Sequence, residues 1–128
     1  GEKFTTTFSV RSSVNQKKDE LLEQLKKLSD FYDGTYSQSG EYPAWEYCKN
    51  SVLRDTMVKT YSEMFGEEPK VLAIHAGLEC GLLSEKLPGL DAVSIGPQMH
   101  DIHTSREKLE IASTGRVWRF LCKVLSEL

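Results

Sequence analysis

The sequence predicts an α/β fold from three observations. Strand-like runs alternate with segments of helical periodicity, two of those runs are unbroken and apolar, and Gly- or Pro-marked turns punctuate the chain. Thr5 to Arg11 alternates in a β-rich stretch that places Thr6, Phe8 and Val10 on one face, which predicts a strand. Ser13 with Gln16 three residues on fits a capping box. Leu21, Leu25, Leu28 and Tyr32 then recur at helical spacing, so an amphipathic helix is expected, ending at Asp33-Gly34. A less regular extended segment begins at Thr35 and Tyr36, and Tyr42-Pro43-Ala44-Trp45 follows as a Pro-fixed aromatic link.

Beyond the link, Asn50 or Ser51 can cap a second helix carrying Val52, Leu53, Met57, Tyr61, Met64 and Phe65, with Gly66 as its stop. Val71 to Ile74 and Ala92 to Ile95 read as strands covered on both faces, as in parallel sheets. A short turn or helix is expected near Glu79. A last helix starts near Ser113 with Val117, Phe120, Leu121, Val124, Leu125 and Leu128 at core spacing.

The 128 residues suffice for one small domain or a piece of one, and 27% charged residues with only 9 Gly and 4 Pro exclude collagen-like and low-complexity classes. With 16 Lys+Arg against 19 Asp+Glu the net charge is −3, and no dense basic block offers the footprint that nucleic acid or anionic lipid needs. No apolar run approaches the roughly 20 residues that cross a bilayer, and no signal peptide is recognisable, so a cytoplasmic location is expected. Cys48, Cys80 and Cys122 are odd in number and lie outside any CxxC spacing, which indicates neither a disulfide framework nor a thiolate zinc site. Gly1 stands where a start methionine would, and the chain reads as an excised piece.

Chemistry is best sought between residues 75 and 103, where His75, His100 and His103 follow or end the apolar runs, because open α/β sheets bind ligands beyond their strand ends. Gly77 and Gly81 flank Glu79 and would let backbone approach a ligand closely. His100 and His103 form an HxxH pair that Asp101 or Glu107 could orient, a spacing that matches no dedicated zinc motif. Arg11, on the polar face of the first run, carries a guanidinium able to fork onto a carboxylate.

Three strings stand out: Ala73-Ile74-His75-Ala76-Gly77-Leu78-Glu79-Cys80-Gly81-Leu82, Asp91-Ala92-Val93-Ser94-Ile95-Gly96-Pro97, and Asp101-Ile102-His103-Thr104 with Glu107. Together they resemble the C-terminal end of aminoacyl-histidine dipeptidases, the Xaa-His or carnosine-type members of the zinc aminoacylase/carboxypeptidase family. Phe8-Ser9-Val10-Arg11-Ser12-Ser13 and Tyr42-Pro43-Ala44-Trp45 extend the resemblance over nearly the whole chain. It implies that residues 1–45 are the last β-α-β part of a small two-layer lid domain of the dimerisation type. Residues 46–128 would be the C-terminal part of an α/β zinc-exopeptidase catalytic domain.

The same resemblance implies roles. His103 would be a terminal ligand of one of two zinc ions, Arg11 would grip the substrate's C-terminal carboxylate, and Glu79 would lie near the substrate backbone. Thr104-Ser105-Arg106-Glu107 departs from the family's Ser-Pro-Asp-Glu run. The family's His-x-Asp segment, its Asp-Glu-Glu segment with the general base, and its other metal ligands have no counterpart here. The resemblance therefore implies a cytoplasmic, metal-dependent dipeptidase as the complete protein, with a homodimer among its expected assemblies, dipeptide as substrate and no nucleic-acid or membrane partner. This piece would be inactive, with no catalytic residue of its own and no tightly bound zinc. The alternative is a free-standing, non-catalytic α/β binding or oligomerisation module.

Overall fold

The computed structural model describes residues 4–75 and 79–128. These form four helices, α1 (Asn15–Phe31), α2 (Val52–Phe65), α3 (Glu79–Lys86) and α4 (Ile111–Leu125), and one two-stranded sheet of β1 (Met99–His100) and β2 (Lys108–Leu109). The fold is thus mixed, mainly helical with a small sheet. The chain divides into two compact units, one of Gly1–Tyr47 with Leu72–Leu90 and one of Cys48–Val71 with Asp91–Leu128.

The predicted strands over 5–11, 71–74 and 92–95 lie outside regular secondary structure. The expected covering on both faces is also missing, since Leu72 is 75% exposed and Val71, Ile74 and Ile95 are exposed as well. The reason is physical. A parallel strand is completed by the backbone of a sequence-distant neighbour, and an apolar run specifies the propensity without supplying that neighbour.

In the first unit, α1 begins without the expected capping box. Its N-cap is Val14, which has no side-chain cap bond, rather than Ser13. Tertiary contacts take over the anchoring: Asn15 Oδ1 accepts from the Ala44 N–H at 2.8 Å, the Asn15 N–H donates to Glu46 Oε1 at 3.2 Å, and Lys18 Nζ donates to the Tyr42 carbonyl at 2.6 Å. The helix ends where predicted, with Asp33 at φ 50° and the Gly34 N–H closing onto the Ser29 carbonyl at 2.8 Å. No α1 residue is buried, and Leu21, Leu28 and Tyr32 of the predicted apolar stripe are exposed.

The aromatic link also packs against α3. A Cβ placed on buried Gly81 would stand 2.9 Å from the Pro43 carbonyl oxygen and 3.6 Å from Trp45 Cβ. Gly81 therefore admits the chain's own link, not a ligand as its sequence context suggested. Gly77 lies outside the described residues.

In the second unit, α2 and α4 pack through Met57, Phe120 and Val124, with Leu53, Tyr61 and Val93 against them. Tyr61 and Phe120 meet edge to face at 5.5 Å. Both expected ends of α2 are present. Ser51 Oγ accepts from the Arg54 N–H at 3.0 Å, and Gly66 takes φ 72° while its N–H reaches the Ser62 carbonyl. α4 starts two residues before the expected Ser113.

Asp91 clamps the start of α2 from outside the helix. Its carboxylate accepts from Ser51 Oγ at 2.6 Å and from the Leu53 N–H at 2.9 Å. These bonds, the Ser51 hydroxyl first, hold its pKa below the ordinary carboxylate value. A depressed folded-state pKa contributes stability above the unfolded value and loses it as pH falls through the folded one. Asp91→Asn is expected to destabilise the chain by about 1 kcal/mol at neutral pH. The difference should vanish in strong acid, where the wild-type carboxyl is also neutral. Urea midpoints of both proteins across the acid limb check this.

Candidate functional site

The second unit carries His103 at the head of a β-hairpin. In the antiparallel ladder Met99 faces Leu109 and His100 faces Lys108, and the Glu110 N–H donates to the Gln98 carbonyl at 3.0 Å. Ser113, buried at the start of α4, ties the base of the hairpin to that helix: its Oγ accepts from the Gln98 N–H at 2.8 Å and donates to the Glu110 carbonyl at 2.7 Å. The sequence marks Ser113 only as the start of a helix and not as this brace, because its partners are main-chain groups 15 and 3 residues away.

The loop between the strands is built from unusual backbone. Asp101 has φ 51° and His103 φ 64°, both in the left-handed region. That region costs L-residues on the order of 1–2 kcal/mol, although Asp and His enter it more readily than most. Several bonds hold the loop there. The Asp101 carbonyl accepts from Thr104 Oγ1 at 2.7 Å, Thr104 Oγ1 accepts from the Arg106 N–H at 3.1 Å, and the His103 N–H donates to Glu107 Oε2 at 2.8 Å. The Glu107 carboxylate thus engages the backbone of His103, where sequence reading had considered it as a partner for the imidazole. His103 itself is exposed.

The HxxH pair is split between elements, with His100 in the β1 ladder and His103 on the loop. Among the described residues no group of three or more His, Cys, Asp or Glu is placed to hold a metal ion. An exposed imidazole fits one corner of a metal site and no more. The other donors of such a site are not gathered by the described residues.

The remaining candidates belong to the first unit. Arg11 is exposed in the lead-in to α1, and Glu79 is exposed in the first turn of α3. Burial, and then the Glu79 charge, push the Tyr42 phenol above its ordinary value, which places Glu79 in the electrostatic surroundings of the aromatic link. His75 is exposed, and Ala76, Gly77 and Leu78, in the most specific of the resemblance strings, lie outside the described residues. All three cysteines are free thiols. No described helix is long and apolar enough to cross a membrane.

The second unit also contains a half-open cleft of about 310 Å³ lined by Tyr61, Phe65, Val117 and Phe120 together with Gln98, Ser113 and Arg116. Its arginine is already paired with Glu110 at 3.0 Å.

No protein-family model matches the chain. Among curated proteins it is 34% identical over 119 residues to the cytosol non-specific dipeptidase of Escherichia coli (strain K12), an alignment that takes in 93% of this chain and 24% of that protein. Among solved structures it superposes with a TM-score of 0.80 on the aminoacylhistidine dipeptidase from Vibrio alginolyticus, with 28% identity, covering 91% of this chain and 24% of that one. The chain is thus similar along nearly its whole length, in sequence and in fold, to dipeptidases of which it spans about a quarter.

Proposed function

We propose that the chain is the C-terminal portion of a cytoplasmic, metal-dependent dipeptidase acting on Xaa-His-type dipeptides. Residues 1–45 would end a lid domain and residues 46–128 the catalytic domain. The observation that carries this reading is the 34% identity to a dipeptidase across 93% of the chain. In this reading His103 supplies one ligand to one of two zinc ions, Arg11 holds the substrate carboxylate, and Glu79 lies along the substrate backbone. A bound zinc ion would polarise the scissile carbonyl and lower the pKa of a bound water. The other ligands and the general base would come from parts of the polypeptide beyond this chain.

The test compares the complete polypeptide with this chain alone. The complete polypeptide is expected to hydrolyse β-alanyl-histidine and to lose that activity to a zinc chelator. The chain alone should show no turnover and hold no zinc tightly. Robust turnover by the chain alone, or one tightly bound zinc per chain, overturns the proposal.

A further inference from the structure

We infer that Glu107 is a positioning residue for His103, acting through the main chain and not through the imidazole. The inference rests on the reading of His103 as a ligand and adds to it how this chain sets that ligand's direction. Two non-glycine residues in the left-handed region within three positions are a local outlier, and such backbone persists only where its surroundings over-determine it. The surroundings here are specific.

The His103 N–H, which the left-handed turn aims back across the loop, is taken by Glu107 Oε2 at 2.8 Å. The Glu107 N–H in turn donates to the Thr104 carbonyl at 3.1 Å, so carboxylate and backbone of the same residue close the loop from both ends. Glu107 directly precedes β2, whose Lys108 pairs with His100. The carboxylate therefore references the His103 Cα to the hairpin ladder. A side chain's direction follows its φ and ψ, so releasing that amide lets the imidazole swing while leaving its chemistry intact.

The proposal separates the two halves of the residue. Glu107→Ala removes the acceptor, whereas Glu107→Gln keeps a carbonyl oxygen of the same reach and loses the charge. In the complete polypeptide, Glu107→Ala is expected to speed hydrogen exchange at the His103 amide, read from overlapping peptides across 101–107, with α4 peptides unchanged. It should also weaken zinc binding by about tenfold, the low end for residues that orient ligands. Glu107→Gln should restore most of both.

His103→Ala serves as the control for the underlying reading. If it leaves zinc binding untouched, the ligand reading and this inference fall together. If it removes one zinc ion while Glu107→Ala changes neither exchange nor affinity, the positioning role alone is wrong. If Glu107→Ala and Glu107→Gln weaken zinc equally with His103 exchange unchanged, the carboxylate acts by its charge and the positioning role is likewise wrong.

Discussion

In the complete polypeptide, His103→Ala is expected to lose one of two zinc ions and nearly all kcat. The ion that a ligand holds is what polarises the carbonyl and activates the water, so removing an imidazole from a site of few ligands empties it instead of weakening it slightly. Truncation at this exposed loop position gives up no packing, and although alanine takes the positive φ less readily than histidine, the stability loss should stay within about 1 kcal/mol. That combination makes the result diagnostic. Metal content, steady-state rate and thermal midpoint are measured on the same preparation. Retention of both metals at ordinary rate would show His103 to be a plain loop histidine.

Arg11→Lys is expected to reduce kcat/KM on dipeptides by about one to two orders of magnitude. The variant keeps a positive charge but loses the planar fork that meets a carboxylate through two parallel hydrogen bonds. A hydrogen bond to a charged group is worth roughly 1.5–3 kcal/mol, and about 1.4 kcal/mol is tenfold in rate. The loss should shrink on a dipeptide whose C-terminal carboxylate is replaced by an amide, where the arginine has no anion to hold. Equal losses on acid and amide would mean that Arg11 supports the lead-in to α1 instead.

How far the sequence could be read depended on whether the deciding partner was local. Ser51 and Gly66 mark the ends of α2 because a hydroxyl three residues before an N–H, and a glycine free to take φ 72°, act within one turn. The start of α1 has no such local mark. Its anchors are Ala44, Glu46 and Tyr42, between 24 and 31 residues away, and no capping pattern encodes them.

The three expected strands illustrate the same limit from the other side, since β-rich and apolar runs state a preference that only pairing converts into a ladder. The candidate site was legible in part. The resemblance strings marked Arg11, Glu79 and His103, but not that Glu107 would hold backbone or that Ser113 would brace the hairpin. A signal for the first existed in Asp101 and His103, residue types that tolerate positive φ, followed by a carboxylate four positions on.

The hydroxyl of Ser113 narrows what evolution can do at that position. It donates to one main-chain carbonyl and accepts from one main-chain amide while 4% exposed, so its replacement must at least supply the acceptor that the amide needs. Alanine would strand the Gln98 N–H, while the Glu110 carbonyl would keep the Thr114 N–H at 3.2 Å; cysteine offers only a weak acceptor, and threonine keeps the hydroxyl at the cost of a methyl group that must find room beside the cleft. A change at position 113 is therefore felt first by the Gln98 N–H at the base of the hairpin that presents His103, so a residue of α4 helps to set where that loop stands.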